Sequence, residues 1–320
     1  MIRADLHVHS YHSGFSGSLR WCRSRDCYSS PEAVYQRAKA RGMDAVTITD
    51  HNSIDGCLEL LARHGTLPDF VVGEEVECLY PGTDLRIHIG VFGLDERVHR
   101  EIQALRRNVF EAVALLRHEG LFFALFHPFH FYRGQVGLAT YLAELVPLFP
   151  GIEARNGTMS ARLNELTERV VTHWVQAGGR TAVVGGSDAH TLRSIGTTCT
   201  EVMIETPAAL LEALKAGRSH VRGRHGSASR LAFDIYGVIF RFWAGLVGLG
   251  RHECSRAERT RSLLLSVLLS PFMVTPIVTS LLQKSGEARR ARRLIRAWES
   301  GSPAAGWASV RRVSAADPLS

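Results

Sequence analysis

The first nine residues, "MIRADLHVH", set Ile2, Ala4, Leu6 and Val8 against Arg3, Asp5, His7 and His9. That two-residue period predicts a strand with His7 and His9 on one face. "SPEAVYQRAKARG" follows with Ser30 as N-cap, Pro31 in the first turn and Gly42 past the end, which predicts a helix. "DAVTITDH", "DFVVGEEVE" and "LRIHIGVFG" read as strands, the last two joined by a turn at Pro81-Gly82. "ERVHREIQALRRNVFEAVALLRHEG" predicts one long helix ending at Gly120. "LFFALFHPFH", "GIEARNG" and "RTAVVGGSDAH" are further strands, with a helix over about 158–177 before the last. Strand–helix alternation predicts an α/β fold with a largely parallel sheet, open or closed as a barrel.

The polar residues of this pattern gather at strand ends: His7 and His9, Asp50-His51, Glu74-Glu75, His127, Glu153, then Asp188 with His190. In a parallel barrel those ends converge on one face. Solvated loops favour Ser, Asn, Lys and Gly, so His, Asp and Glu at so many strand ends point to a metal centre. A His and carboxylate set without thiolate suits Zn, Mn or Fe.

Six motifs in order, "DLHVHS", "TDHNS", "GEEVE", "IHIGVFG", "HPFH" and "GSDAH", make residues 1–225 similar to the PHP (polymerase and histidinol phosphatase) family. The resemblance implies a distorted (β/α)7 TIM-like barrel binding two or three divalent metals, and hydrolysis of phosphate esters by a metal-bridging hydroxide. It implies His7, His9, Glu75 and Asp188 around a first metal, and Glu75, His88 and His127 around a second. His51 and His190 would hold a third, completed by Asp26 or, alternatively, His12. About a dozen extra residues, "YHSGFSGSLRWCRSR", intervene before the Ser-Pro-Glu helix start, and Asp26 keeps the family's usual distance from Pro31. Glu75, Asp188, His12 and His130 are the candidate catalytic groups. Arg155, on the strand face of Glu153, and Arg20 and Arg23 are candidate substrate contacts.

Composition narrows the substrate. Of 38 Lys/Arg and 31 Asp/Glu, residues 231–320 hold 13 and 6, so the whole net charge of +7 lies in the tail. A neutral first part favours a small phosphomonoester or short nucleotide over long nucleic acid. The competing readings are a nuclease acting on nucleic-acid ends and a non-catalytic metal-binding barrel. An amidohydrolase would want a lysine at a strand end, and none is present.

The six cysteines are scattered and no secretory signal precedes the first strand, so a reducing, cytoplasmic setting is expected. Residues 223–230 read as a linker, 226–300 as an apolar and basic helical extension, and 301–320 as a disordered end. The uncharged stretch 263–282 has the length of a bilayer span. The 231–282 segment is therefore expected either to contact a membrane or to form a helical hairpin on the barrel. The basic run "EARRARRLIRAW" would face anionic lipid, nucleic acid or solvent.

Overall fold

A computed structural model describes residues 1–15, 24–247, 249, 259–260, 263–264 and 274–300. Within these the period-two segments become β1 (Ile2–Asp5), β2 (Ala45–Ile48), β3 (Phe70–Leu79), β4 (Arg86–Phe92), β5 (Phe122–Phe126), β6 (Gly151–Asn156) and β7 (Ala182–Gly186). β8 (Thr198–Val202) and β9 (His220–Gly223) complete a ladder in the order β7-β6-β5-β4-β3-β2-β1-β8-β9. Beyond β1 and β7 the chain closes on itself, for the Asp188 N–H donates to the His7 carbonyl at 2.7 Å and the His9 N–H to Ala189 at 3.0 Å. The result is a nearly closed barrel-like α/β sheet.

The sheet is less parallel than expected. β4 runs antiparallel to both β3 and β5, with Glu77 opposite His88 and Glu75 opposite Gly90. A tight turn at Pro81-Gly82 leaves no room for a crossover helix, so the pair is a hairpin. This reversal puts the beginning of β4, with His88, at the barrel end where the other strands finish.

The helices follow their caps. α1 (Pro31–Ala40) starts with the Ala33 N–H donating to Ser30 Oγ. α2 (Asp55–His64) follows β2. The long helix predicted over 96–120 is two, α3 (Glu96–Leu105) and α4 (Val109–His118), because the Asn108 side chain accepts from the Phe110 N–H and caps a fresh start. α5 (Leu138–Leu145), α6 (Ala161–Gln176) and α7 (Leu210–Lys215) complete the outer layer.

Phe92, Phe122, Phe126 and Leu6 fill the barrel interior, all buried, and each fully buried side chain of this size stabilises by roughly 1.5–3 kcal/mol. The Phe126 ring stacks on His7 with centroids 4.1 Å apart, so the core ends directly under the polar cluster. A Cβ at Gly90 would lie 2.1 Å from the same Phe126 ring. Gly90→Ala is therefore expected to destabilise by about 1–3 kcal/mol through overpacking. A urea titration measures it, and an unchanged midpoint would show that Phe126 moves freely.

The described helices of the tail pack against the barrel. α8 (Ala228–Leu246) is tied to the loop after β7, where Thr191 and Ser194 donate hydroxyl hydrogen bonds to Asp234 at 2.6–2.9 Å. α9 (Thr275–Ser300) lays Pro276, Ser280, Lys284, Glu287 and Ala291 as one buried stripe. Its Lys284 ammonium meets Glu287 at 2.8 Å and donates to the Thr158 carbonyl, while Glu287 accepts from the Ser160 N–H at 2.9 Å. Leu294, Ile295 and Trp298 pack on the core, and Arg289, Arg292, Arg293 and Arg296 face outward. Pro276 does not break this helix, because as its second residue it has no intrahelical N–H bond to lose. Among the described residues no helix is long and apolar enough to cross a membrane. Residues 265–273 of the apolar stretch, and the whole of 301–320, lie outside the described residues.

Candidate metal centre

Glu75 stands at the centre of the barrel mouth, fully buried. Its Oε1 faces His88 Nδ1 at 2.6 Å and His127 Nε2 at 3.0 Å. Its Oε2 faces His51 Nδ1 at 2.8 Å, His7 Nε2 at 3.4 Å and His9 Nε2 at 3.5 Å. Strand alternation sends Glu74 to the other side, where it accepts from Gln103 and pairs with His99 on α3. Asp188 Oδ1 lies 3.6 Å from His7 Nε2, 3.4 Å from His9 Nε2 and 3.6 Å from His190 Nδ1.

Asp26 Oδ2 sits between His190 Nε2 at 3.1 Å and His51 Nε2 at 3.3 Å. Its placement comes from the Asp26 N–H donating to the Gly14 carbonyl, which folds the end of the inserted segment back over the barrel. His12 goes elsewhere: its Nε2 is 2.9 Å from Glu59 on α2, and Tyr11 donates to the same carboxylate. Of the two residues proposed to complete the third position, the structure brings Asp26 to the cluster. His12 is not among the side chains that meet there, and its ring is held by Glu59 instead.

Hydrogen bonds fix which histidine nitrogens face inward. Ser13 Oγ donates to Asp50 at 2.7 Å, so it accepts from His9 Nδ1–H at 2.9 Å. That leaves His9 Nε2 as the lone-pair atom aimed at Glu75 and Asp188. Glu153 treats His7 alike, accepting from Nδ1–H at 3.0 Å, while its other oxygen accepts from the His127 N–H and from Asn156. Asp188 Oδ2 accepts from Thr158 and Asn156 at 2.8 and 3.2 Å. Ser13, Asn156 and Thr158 carry no signal in the sequence, because short polar loop residues are common everywhere.

The backbone is strained where the cluster is made. His127 and Asp188 adopt φ values of 26° and 52°, which non-glycine residues rarely hold unless the surroundings enforce it.

The electrostatics divide the histidines. Burial and repulsion by His190 and His51 push His9 down to about 3, so it is neutral. His7 and His51, though buried, are driven up by nearby carboxylates, Asp188 and Glu75 for His7 and Glu75 and Asp26 for His51. His190 is raised to about 9, against its own burial, chiefly by Asp26, and His88 is raised by Glu75. Glu75, Asp188 and Asp26 are all held well below the usual carboxylate range by the same histidines, which outweigh the burial that opposes ionisation. His130, next to His127, is pushed well down by burial and by His127, and its Nδ1 is buried without a hydrogen bond.

Three buried atoms at the centre, His7 Nε2, His9 Nε2 and Glu75 Oε2, make no hydrogen bond of acceptable geometry. Converging buried donor atoms left unsatisfied in this way fit a cation that would displace the His7 proton, since each otherwise carries its full desolvation penalty. Among the described residues, four groups of three donor atoms lie within 4.8 Å of one another: His7, His9 and Asp188; His9, His51 and His190; His51, Glu75 and His88; and His7, His127 and Glu153. Cys27, Cys57, Cys78 and Cys199 are free and buried outside these groups, so the donors are nitrogen and oxygen alone.

Loading such a centre must displace protons. Raised groups are occupied by protons until the pH passes their folded values, so at pH 7 about two or more protons per chain are expected to leave on metal binding. Apparent affinity is then expected to rise with pH as the raised histidines lose their protons, His190 at about 9 among them. Calorimetry in buffers of different ionisation enthalpy counts the protons, and none released would mean that the histidines were already neutral.

Arg155 does not join the cluster. A bulge between Glu153 and Arg155 in the β6–β7 register breaks the alternation that would have kept them on one face. Its guanidinium turns to Glu168 on α6, at 2.6 and 2.9 Å. Arg20 and Arg23 lie outside the described residues.

Residues 180–219, which include Asp188 and His190, match a family described as PHP-associated. An uncharacterized protein of Methanocaldococcus jannaschii is 38% identical over 78 residues, 23% of this chain. The match spans 44% of that relative's length. Among solved structures, PsfC of Pseudomonas syringae is similar at 16% identity and TM-score 0.48, covering 75% of this chain and 99% of that one. A lesion-specific endonuclease of Pyrococcus furiosus is similar at 17% identity and TM-score 0.47, covering 69% of this chain and 57% of that one.

Proposed function

We propose that this chain, whose residues 180–219 match a family described as PHP-associated, hydrolyses a small phosphate ester with the help of divalent metal ions. The observation that carries the reading is Glu75, a buried carboxylate whose two oxygens face separate histidine groups, His88 and His127 on one side and His7, His9 and His51 on the other. In this reading His7, His9, Glu75 and Asp188 hold one ion, Glu75, His88 and His127 a second, and His51, His190 and Asp26 a third. The ions are Zn, Mn or Fe by donor type. Bound there, they supply Lewis-acid stabilisation of phosphoryl charge and acidify water.

The chain's own groups supply the order. Glu153 and Ser13 hold the His7 and His9 rings in one tautomer and one orientation. Thr158 and Asn156 immobilise Asp188 through one oxygen and leave the other turned to the histidines. Such preorganised dipoles need no reorganisation as charge develops on the phosphoryl oxygens. His130 stays neutral, so its role is a hydrogen bond to the substrate rather than storage of a proton.

The test is elemental analysis of the full chain together with turnover of p-nitrophenyl phosphate, with and without added Mn or Zn. Two or three ions per chain and metal-dependent release of nitrophenol are expected. Metal-loaded protein that turns over no phosphate ester would replace the hydrolase with a metal-binding role.

A further inference from the structure

A cleft of about 190 Å³ opens beside His190, between the loop that follows β7 and the helix α8. Its walls include His190, Tyr28, Arg193, Gly237 and Arg241. The space is many times the roughly 10–15 Å³ that one water molecule needs. α8 comes close because residue 237 is a glycine, whose added Cβ would meet Thr191 Cγ2 at 3.3 Å. Asp234 locks the helix in place through Thr191 and Ser194, so its charge is already engaged by two hydroxyl donors. The Arg193 guanidinium lies over the Phe233 ring at 4.3 Å, and no carboxylate among the described residues pairs with it.

Two arginines thus line the same cleft as His190, a member of the His9, His51 and His190 group. A phosphoryl group held at that cluster would have a space with positive walls beside it. The geometry points to a subsite for an anionic leaving group: the preferred substrate is a phosphomonoester whose alcohol carries its own carboxylate or phosphate, held by Arg193 and Arg241. This deepens the hydrolase reading and rests on it. In the reaction a water oxygen bonds to phosphorus as the ester P–O bond breaks, and one water proton ends on the departing alkoxide. Inorganic phosphate and the anionic alcohol are released.

A matched pair of esters tests it. 2-Phosphoglycolate has a carboxylate on the leaving group, whereas 2-hydroxyethyl phosphate has a neutral hydroxymethyl in its place. The full-length metal-loaded protein is expected to favour phosphoglycolate by about 10- to 100-fold in kcat/KM, the worth of hydrogen bonds to a charged group. Arg241→Gln and Arg193→Gln are each expected to lower that ratio by about three- to tenfold through KM, and Arg241→Glu to lower it further. Arg241→Lys should recover part of it. A wild-type ratio near one overturns the subsite, as does a ratio that survives both glutamine substitutions while the two rates fall together. Failure of the wild type on both esters is a different result: it removes the hydrolase reading, and the subsite goes with it.

Discussion

Glu75→Gln is expected to abolish detectable turnover and to weaken metal binding by more than about 100-fold. Outer hydrogen-bond partners of metal ligands are already worth 10- to 100-fold, and Glu75 faces five histidines directly. The substitution keeps the shape and removes the charge, so it isolates electrostatics from packing. Without metal, the same change leaves His7, His51 and His88 with less counter-charge in a buried site, at a cost of about 3 kcal/mol or more. Sign follows from the direction of the shifts. These histidines are raised in the folded state, so their stabilisation is full below about pH 6.5 and is lost as pH rises through their folded values. The gap between metal-free wild type and variant should therefore be widest in mild acid and narrow toward alkaline pH. Metal content at fixed free metal, with unfolding midpoints at several pH values, measures both parts. A variant that keeps its metal and its rate would remove Glu75 from the centre.

Chelation has the second large effect. An ion present at 1,000 times its dissociation constant stabilises the folded state by about 4 kcal/mol per site. For a domain of this size that corresponds to a midpoint shift on the order of 10 °C. The metal-free protein also retains raised histidines and unsatisfied lone pairs at the barrel mouth. Thermal unfolding before and after treatment with a strong chelator, followed by re-addition of Zn or Mn, is the measurement. An unchanged midpoint with metal demonstrably removed would mean that the cluster is held together by its own ion pairs.

Part of this was legible in one dimension. Strand period placed His7 and His9 on one face, and the ends of the apolar runs carried Asp50-His51, Glu74-Glu75, His127, Glu153 and Asp188 with His190, the choice of Glu75 over Glu74 coming from the family resemblance. Hydrophobic period and polar punctuation are local properties, and local properties are what a single sequence records. His88 required the family resemblance, because it opens its strand instead of closing it. Only the reversal of β4 carries it to the same end of the barrel.

Other departures from the expected placement have local causes that sequence does not display. Arg155 was two residues from Glu153, and a one-residue bulge undid the inference. The run from Glu96 to Gly120 had a continuous helical pattern, but Asn108 offered its side chain to a backbone N–H and divided it. His12 resembled His7 and His9 in spacing and company, yet Glu59 on α2 claimed it from 47 residues away.

The amino-acid order by itself determined the alternating α/β architecture and the residue types that gather at the strand ends, since these follow from period, burial and side-chain chemistry. Tertiary structure decided the rest: which Glu75 oxygen meets which histidine, that Asp26 closes the third group, and that α8 and α9 wall the barrel. Those are relations between residues distant along the chain, and they exist only once β1 and β7 have met and the inserted segment and tail have packed against the same mouth.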